Sequence, residues 1–178
     1  MIEENITLVD KILEPFKQIV KDDFPGYRNH VYRMIHFCFA QRDLTEEERT
    51  KITIAGCFHD LGIWTGNTFD YLPPSIESAK TYLSKTGLEK WISEIELMID
   101  QHHKLRKFSD ESYPLVEIFR WGDLADFSLG LIKNGIPGHY AREVKDRFPN
   151  AGFHKMLLKR AGRWICWHPL NPIPVLKW

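Results

Sequence analysis

Apolar residues recur along this chain at helical spacing, segment after segment. Ile6, Val9, Ile12, Leu13, Phe16, Ile19 and Val20 keep one face apolar, and Pro15 inside that run predicts a kink or break. Asp22, Asp23, Pro25 and Gly26 are expected to end the segment. A second helix follows over residues 27–41, with Val31, Met34, Phe37 and Cys38 turned inward. Thr45 ahead of Glu46, Glu47 and Glu48 is an N-cap signature with acids in the first turn, and it opens a helix that ends in the adjacent pair His59 and Asp60. Residues 62–74 read as a loop punctuated by Gly66, Asn67, Pro73 and Pro74, with Ser75 capping a short helix over 76–85 that Gly87 stops. Trp91, Ile95, Met98 and Ile99 stripe a helix over 88–103, and further helices are expected over 114–132, 139–148 and 152–167. The prolines at 169, 172 and 174 cannot continue a helix, so the end of the chain reads as an extended strap. With no strand pattern, repeat or low-complexity tract, the expectation is a compact all-α bundle of many helices.

Composition narrows the function classes. At 178 residues, with 43% apolar and 13% aromatic residues, the chain suits one domain with a substantial core. A formal net charge of zero creates no demand for a nucleic acid polymer or a membrane as partner. The charge is uneven, however: residues 131–178 hold nine Lys/Arg against two Asp/Glu, a basic region suited to attracting an anion or simply to lining a solvated helix face. Cys38, Cys57 and Cys166 are odd in number and lack C-x-x-C spacing, so they form neither a disulfide framework nor a cysteine zinc site. No apolar run has membrane-spanning length, and the start of the chain lacks the pattern of a signal peptide. A cytoplasmic location is the resulting expectation.

Ionisable residues stand in unexpected places. His59 and Asp60 close a nearly continuous apolar stretch that includes Ile52, Ala55, Cys57, Phe58 and Leu61. His30 shares a helix face with Met34 and Phe37. Asp123 lies in a mostly apolar helix, and Met98, Ile99 and Leu105 flank His102 and His103. Each taken alone reads as a satisfied core residue. Together they are hard to explain without a compensating cation, because buried ionisable groups are rare unless paired or coordinating.

In order, His30, His59 with Asp60, and Asp123 resemble the signature of the HD-domain superfamily of metal-dependent phosphohydrolases. The flanks are similar as well: IAGCFHDLG at 54–62, YRNHVYR at 27–33 and FRWGDLAD at 119–126. The resemblance covers about residues 25–129 and leaves 130–178 as a C-terminal helical extension. It implies that His30, His59, Asp60 and Asp123 ligate one divalent metal. Two imidazoles and two carboxylates suit Mn, Fe, Co, Ni or Zn. It further implies hydrolysis of a small phosphomonoester or phosphodiester, such as a nucleotide, by a metal-activated water.

Around that set, Arg33 is a candidate to meet phosphate in catalysis and binding, with Lys104 as a second cation. His102 is the favoured proton donor, His103 a substrate contact, and either a ligand for a second ion. Asp70, in the loop after the pair, is a candidate to orient water. Two departures from the family pattern stand out. Some members carry a Glu three residues after the His-Asp pair, where this chain has Ile63. Two-metal members, including di-iron oxygenases, have two further separated histidines, whereas residues 61–101 contain none here. One metal is therefore expected. A di-iron oxygenase of the same fold and a non-catalytic module binding metal or nucleotide are the alternatives. Trp164 and Trp167, an i,i+3 pair, are read as core rather than as a stacking platform, and His36, His139, His154 and His168 have no partner visible in sequence.

Overall fold

The helices of this chain begin and end where backbone chemistry dictates, and in several places that differs from the pattern read above. The computed structural model describes residues 2–177. The first apolar segment breaks at Pro15 as expected: α1 (Thr7–Leu13) gives way to a 3₁₀ turn at Glu14–Phe16 and then to α2 (Lys17–Val20). Pro25 and Gly26 do not end that segment. They lie in the first turn of α3 (Phe24–Phe39), where proline's missing N–H is no loss. A Cβ on Gly26 would stand 3.0 Å from the Ala151 carbonyl oxygen, so the chain before the last helix packs tightly against this glycine. α4 (Glu46–Phe58) carries the expected capping box: Glu48 N–H donates to Thr45 Oγ1, and Thr45 N–H donates to Glu48 Oε2 at 2.8 Å.

The 62–74 stretch is not all loop. It forms the one-turn helix α5 (Gly62–Thr65), and α6 (Leu72–Lys85) starts with Pro73 and Pro74 already in its first turn. Ser75 is therefore no cap. Its buried Oγ accepts the Gly62 N–H at 2.9 Å and fastens α5 to α6. After the left-handed Gly87 and a 3₁₀ turn at Glu89–Trp91 comes α7 (Ile92–Gln101), burying Ile95, Met98 and Ile99. α8 (Pro114–Phe127) stops short of residue 132 because Leu129 and Gly130 both turn left-handed, at φ 55° and 79°. α9 (Gly138–Arg147) and α10 (Phe153–Trp167) complete the order.

Buried apolar residues from Val9 to Val175 form one cluster. α3 packs most extensively on α8, and α4 lies against α1, α3, α6, α7 and α8. The middle of the bundle is thus made by α3, α4, α7 and α8, the helices that carry the out-of-place ionisable residues. α10 buries only Phe153 and reaches the body mainly through α3. Trp167 is 77% exposed, which corrects its assignment to the core; Trp164 is half-buried. Residues 169–177 lie over the surface but through turns rather than extended: Asn171 N–H donates to the His168 carbonyl, Val175 is buried, and Leu105 N–H donates to the Lys177 carbonyl at 2.9 Å in a parallel bridge. Among the described residues there is no strand, and no helix is long and apolar enough to cross a membrane.

The α3–α8 contact depends on Gly122. A Cβ there would lie 2.3 Å from Cys38 Sγ and 3.0 Å from the Met34 carbonyl oxygen, backbone that cannot yield. Gly122→Ala is expected to lower stability by about 1–3 kcal/mol. Gly162, within α10, has nothing within 4 Å of an added Cβ, so Gly162→Ala is expected to raise stability by up to about 1 kcal/mol. Urea denaturation of the two variants checks the contrast.

Candidate metal centre

His30 comes from the middle of α3, and Asp123 from α8. His59 is the C-cap of α4, its N–H still bonded to the Ala55 carbonyl, and Asp60 follows it into the turn leading to α5. All four are buried. Their polar atoms meet: His30 Nε2 and His59 Nε2 are 2.9 Å apart. Asp60 Oδ2 is 3.5 Å from each imidazole Nε2, and Asp123 Oδ1 is 3.6 Å from each. Ligands about 2.1 Å from one ion stand about 3.0 Å apart as octahedral neighbours and about 3.4 Å apart in a tetrahedron. The spacing suits one small divalent cation.

Ring orientation gives the same answer independently. His59 Nδ1 lies 2.8 Å from the Gly56 carbonyl oxygen, and His102 Nδ1 lies 2.6 Å from that of Ile99. A carbonyl only accepts, so both rings donate from Nδ1. His30 Nδ1 donates to Asp126 Oδ2 at 2.7 Å. All three rings then turn Nε2 toward the two carboxylates, and a ring without a second proton would face them with a lone pair. His102 Nε2 and Asp60 Oδ1, buried and 3.7 Å apart, have no hydrogen-bond partner among the described residues. Lone pairs facing carboxylate oxygens in a dry interior require a cation or extra protons.

Asp126 escaped the sequence reading. It holds His30 in orientation and receives both Arg33 Nε and, at 2.8 Å, Arg33 Nη2. The remaining Arg33 nitrogen, Nη1, donates to the Phe148 carbonyl at 2.9 Å. The guanidinium expected at substrate is thus buried, with its nitrogens bonded to Asp126 and to the Phe148 carbonyl. A signal was present in the spacing: His30 and Arg33 on α3, and Asp123 and Asp126 on α8, are both i,i+3 pairs, and the two pairs face each other.

Tyr71 was also missed. Its buried hydroxyl lies 2.7 Å from His103 Nε2. Burial, then the nearby Asp60 and Asp123 charges, raise its pKa well above the ordinary tyrosine value, so it stays protonated. His103 is half-buried, and desolvation followed by the neighbouring His102 lowers its pKa, which keeps it neutral. Asp60, His102 and His103 offer ligand atoms within 4.8 Å of one another, a second set that shares Asp60 with the first. The adjacent histidines thus stand where a second ion would need them, the role considered for them from sequence although one metal was expected. Asp70 is exposed and belongs to neither set; its N–H bonds Thr68 Oγ1. Lys104 is fixed through its backbone, bridging to Lys177 and accepting from Arg120.

Burial opposes a charge on His59, but the Asp60 and Asp123 carboxylates outweigh it and push its pKa up to about 9. Burial likewise opposes charge on the acids; for Asp60 the histidines, His59 foremost, and for Asp123 the bond from His59 overcome it and hold both below the usual carboxylate range. Compared with protein-family models, with curated proteins and with solved structures, the chain finds no match in any of the three.

Two outcomes follow. Asp126→Asn leaves buried Arg33 without its counter-charge and His30 without its orienting acceptor. Stability should fall by about 3–5 kcal/mol, and metal affinity about 10–100-fold, as read by denaturation and chelator competition. The second outcome concerns pH. A raised His59 pKa stabilises the metal-free fold below about pH 6.5, and this contribution is lost as pH rises through about 9; the lowered acids stabilise it above about pH 4 and lose that effect on acidification. A cation must displace the His59 proton, so affinity should rise about tenfold per unit between about pH 6.5 and 9. Thermal unfolding with and without chelator across that range should show the metal-free form weakening while the loaded form does not.

Proposed function

We propose that this protein is a metal-dependent phosphohydrolase of the HD-domain type, acting on a small phosphomonoester or phosphodiester. The observation that carries the reading is the inward-facing set of Nε2 atoms and carboxylates from His30, His59, Asp60 and Asp123, in the chain order that resembles that superfamily. These four would hold one divalent ion, with Mn, Fe, Co, Ni or Zn matching the mixed N/O donors. When bound, such an ion supplies acidification of a coordinated water and polarisation of a phosphoryl oxygen.

The chain's own residues supply the remainder. Asp60 Oδ1, buried and without a hydrogen-bond partner among the described residues, accepts the proton released by the attacking water. His102, its Nδ1–H fixed on Ile99, keeps Nε2 as a second acceptor beside Asp60. Tyr71 and His103, both neutral, form a hydroxyl–imidazole pair at the less buried side of the centre, suited to donating a proton to a leaving oxygen. Phe119 and Phe153 pack against the ligand rings and exclude bulk water.

One observation favours a second reading. The Asp60, His102 and His103 set matches what a two-ion centre needs, as in an oxygenase of the same fold. Metal analysis separates the two: about one ion per chain accompanies the first, and two irons per chain with oxygen consumption would replace it.

A panel of phosphoesters assayed with Mn, Co or Ni is expected to give turnover that chelator abolishes and that Asp60→Ala lowers at least about a hundredfold. If no ester turns over with any ion, the protein is a binding module and the hydrolase reading is wrong.

A further inference from the structure

The basic C-terminal region takes no part in the metal centre, yet it builds a cavity of its own. We propose that the space between α10 and the 67–69 segment is a binding site for a nucleoside phosphate. Its volume of about 770 Å³ falls in the range of small-molecule sites. Lys155, Lys159 and Arg163 line it at four-residue intervals, one stripe along one side of the helix. No ion pair engages any of the three among the described residues. The acid in the wall, Asp23, is already occupied, accepting Trp64 Nε1–H at 2.9 Å and pairing with Arg160 at 3.9 Å. The cavity is therefore strongly positive.

Its other wall is aromatic and held still. Trp164 stacks on His168 with ring centroids 3.7 Å apart and an interplanar angle of 13°. Its indole N–H is fixed to the Asn171 carbonyl oxygen at 2.9 Å. Trp167, one turn on, leaves 77% of its surface in water, and Phe69 faces Trp164 from the opposite side. A phosphate alone needs no aromatic wall, and an apolar ligand needs no row of cations. A planar base joined to a phosphate uses both, the ring by stacking and the phosphate by charge-assisted bonds.

None of the lining residues belongs to the metal-ligand sets. Phe69 meets Tyr71 on one side, and on the other Gly152 precedes Phe153, which stacks on His30. The cavity and the metal centre are thus neighbours with a shared wall, and the proposal stands whether or not the centre hydrolyses esters.

Equilibrium dialysis of the full chain tests it, with each ribonucleoside 5′-monophosphate, adenosine and inorganic phosphate as probes. At least one monophosphate should bind more tightly than adenosine or phosphate. Lys159→Ala with Arg163→Ala, both exposed enough to leave the fold intact, should weaken it about tenfold or more. Trp167→Ala should weaken the nucleotide and leave phosphate unchanged. Asp60→Asn should leave nucleotide binding as it was, whatever it does to turnover. The proposal is overturned if no monophosphate binds, or if the double variant binds normally. It is equally overturned if Asp60→Asn abolishes binding, which puts the ligand on the metal, or if a ten-nucleotide RNA binds over a hundredfold more tightly, which makes the groove a polynucleotide surface.

Discussion

The outward Nδ1–H bonds of three histidines organise the interior of this protein. His59 donates to its own helix at Gly56, His102 to Ile99, and His30 across to Asp126. Each bond fixes a tautomer and aims a lone pair at the same small volume. In that volume the carboxylates of Asp60 and Asp123 already concentrate negative charge, and Asp126 is offset by Arg33. The buried centre is left with two negative charges when the imidazoles are neutral. Apolar packing from α3, α4, α7 and α8 surrounds it, so water cannot stabilise those charges. A divalent cation cancels them. Without one, protons must do the work, and the raised pKa of His59 is the sign of that substitution.

The Arg33–Asp126 pair links this centre to the rest of the fold. Buried ion pairs contribute little net stability, because desolvation offsets attraction. The value of this one is geometric. Two parallel N–H bonds lock the carboxylate that orients His30, and the remaining nitrogen holds the Phe148 and Pro149 carbonyls. That grip places the segment before α10, and so sets Phe153 flat against the His30 ring at 4.2 Å. The His30 ring and its hydrophobic cover are positioned by one guanidinium. The residue looked like a substrate contact from sequence because cations near a phosphate site usually are; its exclusion from solvent could be known only from the partner 93 positions away.

What the sequence revealed depended on whether the determining contact was local. Helical periodicity, the Thr45–Glu48 capping box and the break at Pro15 all arise within a few residues, and all stand in the structure. The four inward-facing residues His30, His59, Asp60 and Asp123 were legible because a charged group amid apolar neighbours is anomalous in one dimension as well as three. Asp126 was passed over beside Asp123, although the i,i+3 spacing put it on the same face. Ser75 looked like a cap because Pro73 and Pro74 looked like a loop; the contact that decides its role is with Gly62, thirteen residues back. Trp167 was read as core because its i,i+3 spacing with Trp164 fits a buried helix face. Nothing in its neighbours says that α10 buries only its first residue.

The chain's zero net charge conceals a separation that bears on how the candidate metal centre and the proposed α10 site would work together. Negative charge is buried around His30 and His59, while positive charge is exposed along α10. In the metal-free protein the carboxylate charge that the His59 proton leaves uncompensated opposes an approaching phosphate, since two like charges in a medium of low dielectric interact far more strongly than in water. Loading a divalent ion removes that opposition. The basic stripe on α10 is unaffected by loading and attracts anions in either state. On the proposed reading, an anionic substrate would gather first at the exposed cations and enter the centre only once the ion is in place. The buried acids would then enforce an order of binding, metal before ester, by electrostatics alone and with no moving part.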